Sequence, residues 1–147
     1  MILGCGVDLM GIARFEREVA RRGGGLIEEL FSAAELAWCG RRRRPAEGYA
    51  MAYAAKEALF KALGTGKAGR MAWSDIEVEW SAGAARPTVT LSGETAAAAA
   101  AMGVGGVHVA VAATREHAVA AVVLEGERRE AGGGSQNTQA IGIRREA

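Results

Sequence analysis

PAEGYAMAYAAKEALFKALG, residues 45–64, decides the fold. Pro45 suits the first turn of a helix, where its missing N–H would have had no partner, and Gly64 supplies the stop. Alanine-rich helix formers fill the space between, so a long helix reaching Leu63 is expected. Along it Tyr53, Glu57, Lys61 and Gly64 are spaced by four, four and three and share one face, with Lys56 and Phe60 beside them. Glu57 and Lys61 read in two ways. They form an ordinary helix-surface pair worth about 0.3–0.5 kcal/mol, or they turn a carboxylate to a hard cation and an ammonium to a phosphate.

Upstream, residues 2–9 are apolar and read as a buried strand, with Gly4 and Gly6 permitting close backbone approach. The strand delivers Asp8 to its end. Ile12, Phe15 and Val19 recur at helical spacing to about residue 22, while Arg14, Arg17 and Arg21 fall on another face. Three glycines, 23–25, end that helix, Leu26 to Phe31 form a short turn or helix, and Ser32 with Glu35 has capping-box spacing for a helix running towards Cys39.

Downstream, Gly64 to Gly69 is a glycine-rich loop. Ile76, Val78 and Trp80 then alternate with acidic residues as a half-buried strand, and residues 81–86 connect it to a return strand at Thr88 to Leu91. Gly93 to Met102 is an alanine-rich helix, followed by strands at Val107 to Ala113 and Ala118 to Glu125. The expected fold class is α+β, with a largely antiparallel sheet and the long helix at its centre. Residues 1–125 make one domain, and the charged, glycine-rich stretch 126–147 reads as a disordered tail.

Composition narrows the function classes. The chain has 147 residues, 50% of them hydrophobic, but alanine supplies 32 and aromatics only eight, so the core is thin and a homo-oligomer is expected. Eighteen basic and seventeen acidic side chains give a net charge of +1, which argues against a nucleic-acid binder. No apolar run approaches the roughly 18 residues that span a membrane. Cys5 and Cys39 form no disulfide framework and read as small buried apolar residues, which suits a cytoplasmic protein.

Asp8 precedes the basic helix and reads either as its cap or as a second carboxylate beside Glu57. The loop is not a phosphate-binding Walker motif, because that template requires Gly at 61 and Ser or Thr at 68, where Lys61 and Ala68 stand. Gly64 to Gly66 read as a helix stop or as backbone amides that cradle a phosphate. No Ser-His-Asp or Cys-His arrangement can be assembled.

Taken together, several motifs resemble the small holo-acyl-carrier-protein synthases, a family of 4′-phosphopantetheinyl transferases. They are G-x-D at Gly6 to Asp8 with Arg14 six residues on, F-S-x-x-E-L-x-x-C from Phe31 to Cys39, and A-A-K-E-A-x-x-K-A-x-G-T-G from Ala54 to Gly66. D-I-E-V at Asp75 to Val78, Pro87, and V-H-V at Val107 to Val109 follow in the family's order. The resemblance implies magnesium-dependent transfer of the phosphopantetheine arm of coenzyme A to a serine of apo acyl carrier protein, releasing adenosine 3′,5′-bisphosphate. It further implies that Asp8 and Glu57 hold the magnesium ion and act with Lys61 in catalysis. Lys61, Gly64, Thr65, Gly66 and His108 would border coenzyme A, and Arg14, Arg17 and Arg21 would dock the acidic carrier. A homotrimer with active sites between subunits is implied as well. Ala52 stands where the family commonly has an arginine, which leaves a phosphate contact to other residues such as those of the Arg41 to Arg44 run. The alternative is a non-catalytic module that binds acidic carrier helices through the same arginines.

Overall fold

Strand β1 (Ile2–Gly11) lies so close against the C-terminal half of helix α4 (Pro45–Ala62) that only glycine fits at two of its positions. A Cβ on Gly6 would stand 2.1 Å from the Ala58 carbonyl oxygen, and one on Gly4 2.1 Å from that of Ala62. Those are backbone atoms, so neither can swing aside. The close approach expected from Gly4 and Gly6 is present, and it seats Asp8 on the α4 side of the strand.

The computed structural model describes residues 1–81 and 86–126. Helices α1 (Ile12–Arg22), α2 (Gly25–Leu30) and α3 (Ala33–Gly40) follow β1. After α4 come a single 3-10 turn at Trp73–Asp75, strands β2 (Ile76–Glu79) and β3 (Thr88–Leu91), helix α5 (Gly93–Ala101), and strands β4 (Val104–Ala113) and β5 (His117–Gly126). The class is α+β with antiparallel pairing throughout, as the sequence predicts, but the strands divide into two sheets rather than one. One has the order β1-β5-β4 and the other pairs β2 with β3. The expected tail lies outside the described residues save for Gly126, and most of the 81–86 connection does too.

Helix α4 is buried on most of its circumference. Ala50, Ala52, Ala54, Ala58, Leu59 and Phe60 are fully shielded, and small side chains let the sheet and α3 pack close to its backbone. Lys56, also on α4, is buried with them. Its ammonium donates to Glu35 Oε2 at 2.7 Å, to the Leu30 carbonyl at 2.7 Å and to the Trp73 carbonyl at 3.2 Å. Desolvation lowers the Lys56 pKa against the opposing pull of Glu35. Ser32 and Glu35 form the predicted capping box, and Glu35 Oε1 additionally accepts the Val78 N–H at 3.0 Å. One carboxylate thereby ties α3, α4 and β2 together.

Two expectations are corrected by the other face of the three-stranded sheet. Residues 2–9 are not buried on both sides: Cys5 is exposed, and Val7 and Leu9 are 59% and 64% exposed. The strand alternates, with glycine and Asp8 turned to α4 and larger apolar side chains turned outward. Cys39 is buried as expected, whereas Cys5 is not.

Candidate active site

Asp8 sits where β1 approaches the end of α4. Its Oδ1 accepts a hydrogen bond from Lys61 Nζ at 2.8 Å, and the same ammonium donates to the Val7 carbonyl at 3.1 Å. Asp8 is not a helix cap, because Gly11 takes that place at the start of α1 and makes no side-chain cap. Asp8 Oδ2 is buried and, among the described residues, has no hydrogen-bond partner. An ionised oxygen in that condition is costly unless a cation or a donor completes its surroundings.

Glu57 stands one turn before Lys61 on α4. The expected Glu57–Lys61 surface pair does not form, since Lys61 reaches across to Asp8 and Glu57 Oε1 accepts from Tyr53 Oη at 2.9 Å. Burial raises the Tyr53 phenol well above the usual tyrosine range, and the negative charges of Glu57 and Asp8 push it further. The hydrogen bond to Asp8 holds the Lys61 ammonium above the ordinary lysine range, with the charges of Asp8 and Glu57 adding to it. Tyr53 and Lys61 therefore each feel the charge of both carboxylates.

Two carboxylates with an unsatisfied buried oxygen suit magnesium, which takes hard oxygen ligands and keeps several waters or substrate phosphates. Among the described residues no group of three or more His, Cys, Asp and Glu side chains gathers to hold a metal by protein ligands alone. Asp8 and Glu57 could each offer a carboxylate oxygen to such a cation.

The remaining predicted site residues are distributed as follows. Gly64, Thr65 and Gly66 form the exposed turn at the end of α4. Gly64 and Gly66 have φ of +75° and +60°, and the Thr65 hydroxyl donates to the Gly66 carbonyl. His108 is not brought to the carboxylates within this chain. It lies on β4, two strands from β1, and points to the open face of the sheet, where its Nε2 is 2.8 Å from Glu125 Oε2.

Arg14, Arg17 and Arg21 are exposed on α1. Arg21 pairs with Glu18 at 2.8 Å, which tempers its charge. Arg14 borders a recess of about 270 Å³ shared with Tyr53, Trp73 and Arg22. Arg42 and Arg44 are both engaged by Glu47, and Arg44 also bonds the Arg115 carbonyl. Ala52 is fully buried beside Phe15, Leu30 and Phe31, so its side chain faces core rather than solvent.

Sequence reasoning missed the Tyr53–Glu57 bond and the Lys56–Glu35 pair. The first was signalled by four-residue spacing on a named face. The second joins residues 21 apart, and nothing local announces it.

A model of the 4′-phosphopantetheinyl transferase superfamily matches residues 4–122. The chain is 37% identical over 125 residues to the holo-[acyl-carrier-protein] synthase of Koribacter versatilis, covering 85% of this chain and 99% of that protein. It is 43% identical over 126 residues to the synthase of the same name from Desulforudis audaxviator, covering 86% and 95%. Among solved structures it is similar to the Neisseria meningitidis holo-[acyl-carrier-protein] synthase, with a TM-score of 0.77, 26% identity, and coverage of 85% of this chain and 99% of that one. The Helicobacter pylori synthase in complex with coenzyme A gives a TM-score of 0.71 and 27% identity, with coverage of 82% and 99%.

Proposed function

The chain belongs to the 4′-phosphopantetheinyl transferase superfamily, and from that premise we propose that it transfers 4′-phosphopantetheine from coenzyme A to a serine of apo acyl carrier protein. Magnesium is the required ion and adenosine 3′,5′-bisphosphate the second product. The observation that carries this reading is the buried Oδ2 of Asp8, which finds no partner among the described residues and lies beside Lys61, one helical turn after Glu57.

Asp8 and Glu57 hold the ion. When bound, magnesium supplies charge neutralisation to the coenzyme A pyrophosphate. Lys61, fixed by Asp8 and by the Val7 carbonyl, adds a positive charge beside the phosphate. The carrier serine attacks the phosphorus that bears the pantetheine arm, and the phosphoanhydride bond to the nucleotide breaks as the new ester forms. Glu57 accepts the serine proton through water. The turn at Gly64, Thr65 and Gly66 contacts coenzyme A with backbone amides. Arg14, Arg17 and Arg21 orient the acidic carrier.

Val7, Leu9 and Val119, exposed on one face of the sheet, support an oligomer in which that face is covered by other copies, and the family resemblance makes it a homotrimer. His108 points to the same face, which suits a coenzyme A site completed by a neighbouring subunit.

The test is incubation of the purified protein with apo acyl carrier protein, coenzyme A and magnesium, followed by intact-mass measurement of the carrier. A phosphopantetheine mass gain that disappears with chelator is expected. A carrier that binds but stays unmodified would show a binding module instead of a transferase, and one that neither binds nor gains mass would contradict both readings.

A further inference from the structure

Each of the two carboxylates has one oxygen tied by a donor on α4, and the two donors are Tyr53 and Lys61, four residues either side of Glu57. Lys61 belongs to the chemistry already described. Tyr53 has no such assignment, and its surroundings are specific. Its ring packs against Phe15 of α1 at 5.7 Å between centroids and against Trp73 of the 3-10 turn at 5.1 Å. The ring is held between two elements that flank α4, so the hydroxyl has a fixed direction.

Glu57 is partly exposed and, among the described residues, takes no other hydrogen bond than the one from Tyr53. A glutamate on a helix surface samples many rotamers, and gathering it onto a ligand costs side-chain entropy. A donor on a clamped ring removes that freedom beforehand and leaves Glu57 Oε2 for the ion. Outer donors that orient a metal-binding carboxylate typically contribute 10- to 100-fold to metal affinity.

We propose that Tyr53 is a positioning residue: its hydroxyl presets the Glu57 carboxylate for the divalent cation. The inference rests on the reading of Asp8 and Glu57 as the metal-holding pair. Tyr53 acts through Glu57 and makes no bond to the reacting atoms.

Tyr53→Phe removes the hydroxyl and keeps the ring between Phe15 and Trp73, so the thermal unfolding midpoint should stay near that of the parent. Manganese binding is measured by electron paramagnetic resonance in the presence of coenzyme A, and half-saturating magnesium is measured in the transfer assay. The expected result is manganese binding weakened by about tenfold and a matching rise in the magnesium requirement, with turnover at saturating magnesium changed far less. A double-mutant cycle separates positioning from packing. Glu57→Asp shortens the carboxylate away from the phenol, so Tyr53→Phe should add little in that background.

Equal manganese affinity in Tyr53→Phe and parent overturns the positioning role and leaves the transferase reading intact. Fully additive effects in the cycle overturn it too. A parent protein that binds no manganese with coenzyme A present overturns both the proposal and the metal site beneath it.

Discussion

Lys61 Nζ stands 2.8 Å from Asp8 Oδ1, joining residues 53 apart in the chain, and the two are unequally shielded: Asp8 is 14% exposed and Lys61 50%. The acid is fixed by the fold while the base keeps one side open to solvent. An ammonium so placed can serve the carboxylate and an incoming phosphate together. Asp8 raises its pKa further above the ordinary lysine range, so the ammonium stays charged well into the alkaline range, and on that side the pair is lost as pH rises through the elevated value. Lys61→Met should lower kcat/KM on the order of 10²-fold by steady-state assay with coenzyme A and carrier. A rate equal to the parent would remove Lys61 from the chemistry.

Gly6→Ala tests how strictly β1 must approach α4. The new Cβ would meet the Ala58 carbonyl oxygen at 2.1 Å and the Ala62 nitrogen at 2.6 Å, so strand and helix must separate. A loss of about 1–3 kcal/mol is expected from urea unfolding, with transfer impaired because Asp8 lies two residues along the displaced strand. Undiminished stability would mean that the contact yields more easily than the geometry implies.

Burial pushes the Cys39 thiol up to about 12, with the Glu35 charge adding to the shift. In the unfolded chain the thiol ionises near 9. The unfolded state therefore releases a proton first as pH rises, and this contribution to stability is complete below pH 9 and is lost between 9 and 12. Its slope reaches about 1.4 kcal/mol per pH unit. Stability measured against pH should fall less steeply above pH 9 in Cys39→Ala than in the parent. Parallel curves would place an ionisable thiol in a wetter site.

Val7 and Leu9 lie on the open face of β1. Val7→Glu combined with Leu9→Glu should yield a folded monomer by light scattering and far-ultraviolet circular dichroism, with little transfer activity. A fully active monomer would show that one chain holds a complete site.

Arg14→Glu with Arg21→Glu should raise KM for the carrier severalfold, more at low salt than at high, and leave KM for coenzyme A close to the parent value. Arg14 should dominate, since Arg21 is already paired with Glu18. Equal increases for both substrates would place these arginines at the nucleotide instead.

What could be read from sequence was mostly local. The 45–63 helix follows from proline, alanine and glycine at positions where each has a steric reason, and the Ser32–Glu35 cap from a spacing of three. Gly4 and Gly6 announced a close approach, although not which helix would approach. Pairing of Asp8 with Lys61 stayed hidden because helix spacing made Glu57 the nearer partner for Lys61. The β1 register was also ambiguous, since glycines on one face and apolar residues on the other give an unbroken apolar run whether the second face is covered or open. His108 and its strand were legible, but its distance from the carboxylates depends on strand order, which a single sequence does not specify.

The decisive measurement is the anomalous difference map of a crystal grown with coenzyme A and manganese. One peak within bonding distance of both Asp8 and Glu57, at about 2.1 Å from an oxygen of each, is the predicted result. Peaks elsewhere, or one that touches neither carboxylate, would contradict the account.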